Sequence, residues 1–198
     1  MKLLMWLGAV LVIVAILFIA AISWIVWRVD RETVRPIEVA NADGAEGIAL
    51  IVMSPGASSF PDEIAASFAQ GLVKSGWRVE RTTPSIETPT DLSGYDLIVV
   101  GSPIYRYGPT KPLTDWISRL GDLGGKPVAI LLTGMGSADD ALAVARQLVT
   151  GANGAVAGSY AYFSLLPNDA ENRYTGSNIE RARAMATDAA VALAGKLP

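Results

Sequence analysis

Three short segments hold the residue types able to handle a ligand. Residues 54–59, Ser-Pro-Gly-Ala-Ser-Ser, set hydroxyls and a glycine just ahead of a helical pattern. Hydroxyls and backbone N–H groups converging at a helix N-terminus, where the dipole favours negative charge, make an anion site. The same serines also serve as ordinary helix caps, and Asp62 and Glu63 in the following turn already answer the dipole. Residues 101–108, Gly-Ser-Pro-Ile-Tyr-Arg-Tyr-Gly, bring Tyr105 and Tyr107 for stacking on a flat polar ring, with Arg106 and Lys111 to balance charge. The plainer alternative buries one tyrosine in the core and leaves the other on the surface. Residues 133–137, Thr-Gly-Met-Gly-Ser, place two glycines where a backbone approaches a ligand closely or simply turns.

What is missing limits the chemistry further. The chain has no Cys and no His. Disulfides, thiol nucleophiles, Cys/His metal sites and imidazole acid–base steps are therefore excluded. Ser54 and Ser102 have no histidine to activate them, so a serine hydrolase finds no support. Redox or proton chemistry must come from carboxylates, Lys, Tyr or Ser, or from a bound cofactor. The net charge is −3, and no basic stripe offers a footprint for nucleic acid.

The elements that position these segments follow from hydrophobic periodicity. Ile48–Met53 is an apolar strand, and Ile64, Phe68 and Leu72 form one stripe of a helix over 61–75. Trp77–Thr82 alternates like a half-buried strand. Residues 83–94, with two prolines, leave little room for a helix. Tyr95–Val100 is a buried strand running straight into the aromatic segment. Leu113, Trp116, Ile117 and Leu120 mark the next helix, and Pro127–Thr133 the fourth strand. A helix over 138–150, a fifth strand at Ala155–Phe163 and a last helix over 178–195, opened by Ser177-x-x-Glu180, complete the order. Strands alternating with amphipathic helices predict an α/β fold: a three-layer, doubly wound, five-stranded parallel sheet. The three segments then gather at its carboxyl edge, where open sheets bind ligands.

The N-terminus reads differently. Leu3–Trp27 carries no charge, and at about 1.5 Å per residue it exceeds the roughly 30 Å hydrocarbon core of a bilayer. Tryptophans sit near both ends, as in interfacial belts. A cleaved signal peptide would have a shorter apolar core and a better small-residue site than Ala20-Ala21-Ile22. Residues 1–27 are therefore expected to be a transmembrane anchor, 28–46 a linker and 47–198 the α/β domain. Arg28, Arg31 and Arg35 outweigh Lys2 and favour a single-pass protein of the cell membrane with the domain in the cytoplasm.

The segment YDLIVVGSPIY, followed by Gly108 and KPLTDWI, resembles the flavodoxin family, as does KPVAILLTGMGS. The resemblance covers residues 47–197 and is similar to the short-chain members. It implies a bound flavin mononucleotide (FMN) and a role in electron transfer. Ser54, Pro55, Gly56, Ala57, Ser58 and Ser59 would hold the phosphate, with Ser58 and Ser59 the best hydroxyl donors. Ser102, Pro103, Ile104, Tyr105, Arg106, Tyr107 and Gly108 would line the flavin ring, Tyr105 or Tyr107 stacking on it. Thr133, Gly134, Met135 and Gly136 would close the other side. The first loop departs from the family's Ser-x-Thr-Gly-x-Thr, with Gly56, Ala57 and Ser59 in place of Thr, Gly and Thr. The resemblance thus implies a membrane-anchored electron carrier or flavin-dependent, quinone-type reductase working with a redox partner protein or quinone-like acceptor. The alternative is a flavin-free binding or scaffolding module tethered to the membrane.

Overall fold

The computed structural model describes residues 2–169, 171 and 174–197. Met1 and the side chains of Lys2–Met5 and Ala9, which belong to the expected anchor, lie outside the described residues. The first element is α1 (Lys2–Val29), an unbroken helix long and apolar enough from Trp6 to Val29 to cross a membrane. The α/β domain follows as β1 (Glu38–Ala40), β2 (Ile48–Met53), α2 (Phe60–Lys74), β3 (Arg78–Thr82), β4 (Leu97–Pro103) and α3 (Lys111–Leu120). It ends with β5 (Pro127–Gly134), α4 (Asp139–Gly151), β6 (Ala155–Phe163) and α5 (Asn178–Ala194).

The sheet order is β1-β3-β2-β4-β5-β6. The expected five parallel strands are β3, β2, β4, β5 and β6. They carry one strand that periodicity did not reveal: β1 lies antiparallel along β3, inside the segment expected to be a linker. Three residues, Glu-Val-Ala, are too few and too exposed to leave a period-two signal.

Side-chain alternation on the buried strands fills two cores. Ala49, Ile51, Leu97, Val99, Ala129 and Leu131 face α2 and α5. Their neighbours Leu50, Val52, Ile98, Val100, Ile130 and Leu132 face α3 and α4. No helix covers the β3–β4 crossover. Residues 83–94 instead fold as a loop against α3, with Leu92 buried and the fully buried Trp116 donating from Nε1 to the Pro89 carbonyl at 3.2 Å.

The segment after α1 is laid onto the domain. Val29 is buried. The hydroxyls of Thr82 and Thr83 donate to the carbonyls of Arg35 and Thr33, and the Ile86 N–H donates to Glu32 at 3.0 Å. Arg106 pairs with Asp30, Arg119 with Glu32, and Arg35 with Asp62. Exposed ion pairs contribute little each, but the backbone-anchored bonds give this stretch one path.

On the other face α2 and α5 approach closely. A Cβ on Gly71 would lie 2.3 Å from the Thr187 carbonyl oxygen and 2.6 Å from the Ala190 Cβ. Overpacking of this kind costs roughly 1–3 kcal/mol, so Gly71→Leu is expected to lower unfolding free energy by that amount. Gly151→Ala, where a Cβ meets nothing within 4 Å, is expected to leave it unchanged or raise it by up to about 1 kcal/mol; denaturant unfolding of both variants checks the pair.

Burial, with a 2.7 Å hydrogen bond to Glu80, pushes the Tyr95 hydroxyl from 10.0 up to about 12. The unfolded chain releases this proton first, so the contribution is complete below pH 10 and is lost as pH rises towards 12. Tyr95→Phe is expected to flatten that part of the stability–pH curve, read by unfolding at fixed denaturant.

Candidate functional site at the carboxyl edge of the sheet

Crossovers leave β2 and β4 towards opposite faces of the sheet, so their following loops part. Beyond these strands and β5 lies an open cleft of about 470 Å³, within the range of small-molecule sites. Gly56, Ala57 and Ser58, with Phe60 and Pro61 from the start of α2, form one wall. Pro103, Ile104 and Tyr105 form the second, and Thr133, Gly134 and Met135 the third. All three segments singled out in the sequence therefore contribute to one cavity.

The first loop is shaped by its own side chains. A Cβ on Gly56 would fall 2.8 Å from the Pro61 ring, so Gly lets the loop fold onto α2. Ser59 caps nothing; its hydroxyl donates to Glu63 at 2.7 Å. Asp62 is held by Arg35. The Ala57 N–H donates to the Tyr105 hydroxyl at 3.1 Å, tying the first loop to the second. Ser58 lines the cleft, and its hydroxyl has no partner among the described residues.

Ser54 and Ser102 lie elsewhere. Both are completely buried beneath the loops. The Thr110 hydroxyl donates to Ser54 at 2.7 Å, the Thr110 N–H donates to the Ser102 hydroxyl at 2.9 Å, and Ser102 donates to the Pro103 carbonyl. This hydroxyl cluster stitches the ends of β2 and β4 to the start of α3. It supports the site from below.

The aromatic segment is a tight turn. Tyr105 and Gly108 exchange two backbone hydrogen bonds of 3.2 and 3.1 Å. Arg106 and Tyr107 occupy its centre with φ of 49° and 63°, the left-handed pair of a type I′ turn. Such turns favour Asn-Gly; an Arg-Tyr pair holds strain on the order of 1–3 kcal/mol per residue. The turn directs Tyr105 into the cleft wall, while Tyr107 is 80% exposed and Arg106 reaches Asp30. Neither Arg106, Tyr107, Gly108, Gly136 nor Pro55 lines the cavity.

Thr133 is the unsatisfied polar group of the third wall. It is 1% exposed and lines the cleft, and its hydroxyl has no hydrogen-bond partner. A buried hydroxyl left unpaired costs about 1–3 kcal/mol. Its register partner Tyr162 also has an unpaired buried hydroxyl. Gly134 sits close against Ile104, where a Cβ would be 3.3 Å from the Ile104 Cδ1, and the Ile104 N–H donates to the Thr133 carbonyl at 2.7 Å.

Two contributors escaped sequence reasoning. Ser164 and Leu165 follow β6, a fourth loop that the carboxyl-edge rule could have supplied. Ile25, from the C-terminal part of α1, also lines the cleft; no periodicity announces that contact.

Together these features fit a flat heteroaromatic group in the Tyr105–Thr133 part of the cleft. The end near α2 offers the Ser58 hydroxyl and the start of a helix, with the Ala57 N–H and the Ser59 hydroxyl already engaged inside the chain.

No protein-family model matches this sequence, and no curated protein is similar to it at a significant level. Solved structures are. Flavodoxin 2 from Bacillus cereus superposes with a TM-score of 0.56 at 21% identity, over 76% of this chain and 99% of its own. A flavodoxin from the domain Archaea gives 0.55 at 15% identity, over 74% and 98%. The NAD(P)H:quinone oxidoreductase of Methanothermobacter marburgensis gives 0.52 at 16% identity, over 75% and 96%. Strand order, the position of the cleft and these neighbours agree: the α/β domain has the flavodoxin fold.

Proposed function

We propose that this domain binds FMN in the carboxyl-edge cleft and acts in electron transfer, as a carrier or as a flavin-dependent reductase of quinone-like acceptors, tethered to a membrane by α1. The observation that carries the reading is a cleft of the right size, walled by Tyr105, Thr133 and Gly134, at the point where the strand order reverses, with the unpaired Thr133 hydroxyl buried in that wall. The similar solved structures, among them flavodoxins and a quinone oxidoreductase, support the same direction.

When bound, the flavin supplies one- and two-electron chemistry that no side chain here provides. Tyr105 presents an aromatic wall, the Thr133 hydroxyl a hydrogen bond to a polar ring atom, and Gly134 a backbone without a side chain in the way. Ser58 and the Phe60 N–H would meet the phosphate, Pro61 having no N–H to give. Ile104 would shield the ring from water. In the membrane reading, Arg28, Arg31 and Arg35 hold the domain on the cytoplasmic side, which protease access to closed cells and inverted vesicles checks.

A second reading, a flavin-free binding module, is favoured by the phosphate end, where Tyr105 takes the Ala57 N–H and Glu63 takes the Ser59 hydroxyl. Titration of purified protein with FMN decides between them. Stoichiometric quenching of flavin fluorescence with co-eluting yellow colour supports FMN; colourless protein and unquenched flavin leave the second reading. Tyr105→Ala is expected to weaken binding by about 0.5–1.5 kcal/mol beyond the lost contact area. Thr133→Val is expected to separate stability from binding. It removes the unpaired hydroxyl and raises the unfolding free energy of the unliganded protein by roughly 1 kcal/mol, while weakening FMN by about 0.5–1.5 kcal/mol. Thermal unfolding with and without FMN reads both effects.

A further inference from the structure

The C-terminal part of α1 is both the end of an apolar helix and a wall of the cleft. Trp6–Val29 spans 24 residues, which at about 1.5 Å each is roughly 36 Å, against a hydrocarbon core of roughly 30 Å. The surplus is about one turn. Trp24 and Trp27 lie near the C-terminal end of the helix, with the Arg28 guanidinium 5.4 Å from the Trp24 ring centroid and the Arg31 guanidinium 3.6 Å from that of Trp27. Tryptophan and arginine at a helix end mark the headgroup layer. Ile25, between the two tryptophans, lines the cleft.

The rim of the cleft on this side is apolar and uncovered. Met135 is 69% exposed and Leu165 70%, and both line the same cavity as Ile25. Leu166, 55% exposed, is held beside them by its N–H bond to the Met135 carbonyl. Contiguous exposed apolar groups of this kind mark a docking surface. Two cations at the end of the helix suit a lipid surface. Asp30 and Glu32 are taken up by Arg106 and Arg119, whereas among the described residues no carboxylate pairs with Arg28 or Arg31. Those two cations are exposed at the end of the helix, free for anionic headgroups to attract.

We propose that the rim formed by Met135, Leu165 and Leu166 seats in the headgroup–acyl boundary of the bilayer that α1 crosses, so that the cleft opens onto the membrane rather than onto bulk water. This rests on reading α1 as a membrane span. Molecules reaching the cleft through this mouth would then be ones that partition into lipid.

The absence of cysteine makes the test direct. Met135→Cys, Leu165→Cys, Ser93→Cys and Ile13→Cys are each made in the full chain, labelled with an environment-sensitive fluorophore and reconstituted in phosphatidylcholine–phosphatidylglycerol vesicles carrying shallow or deep spin-labelled lipid. Ser93 is exposed in the loop before β4, at the opposite edge of the sheet, and Ile13 lies mid-helix. The expected result is strong quenching of the labels at 135 and 165 by shallow spin labels, deep quenching at 13 and none at 93. Labels at 135 and 165 that behave like the one at 93, with 13 still quenched, would overturn the inference and leave the span intact. A blue-shifted but unquenched label at 135 or 165 would mean that a protein covers the rim, also against it. An unquenched label at 13 would remove the span and the inference with it.

Discussion

Everything at the functional edge depends on the handedness of two crossovers. Parallel strands are joined by right-handed connections almost without exception. From β2 the chain passes through α2 to β3 on one side, then returns over β2 to β4 on the other. The helix after β2 and the loop after β4 must therefore leave on opposite faces, and the backbone between them cannot close. The cleft is a topological remainder, present before any side chain is chosen. Side chains then decide what it can hold.

That decision differs along its length. Beside β5 the chain leaves hydrogen-bonding capacity open: Thr133 is buried and unpaired, and Gly134 has no side chain. Near α2 the chain satisfies much of its own demand, through Tyr105 on Ala57, Glu63 on Ser59 and Arg35 on Asp62. A ligand entering there would exchange one set of bonds for another, and such exchanges contribute little net free energy. Affinity is thus concentrated where the chain has not already answered itself.

Much of this was legible in the residues. Buried β-branched runs located the parallel strands, period-four stripes located α2 and α3, and two prolines correctly kept a helix out of 83–94. The three ligand-edge loops were legible because each follows such a strand. What escaped has a common cause: composition does not say which way a small polar residue points. Ser54 and Ser58 look alike in sequence, yet one is sealed under Thr110 and the other lines the cleft. Arg106 looked like a ligand for negative charge and instead holds Asp30. β1 was too short to carry a period, and Ile25 reaches the cleft only because residues 29–40 are pinned along one path.

The Arg106–Asp30 pair joins two parts of the molecule with unlike mechanical properties. Asp30 continues a rigid rod; Arg106 sits in the one loop whose backbone is held away from its own minimum by two left-handed residues that are not glycine. Tyr105 is the next residue along, and its hydroxyl bridges to the first loop. The helix end and the cleft wall are thus joined through consecutive residues, Arg106 to Asp30 and Tyr105 to the first loop.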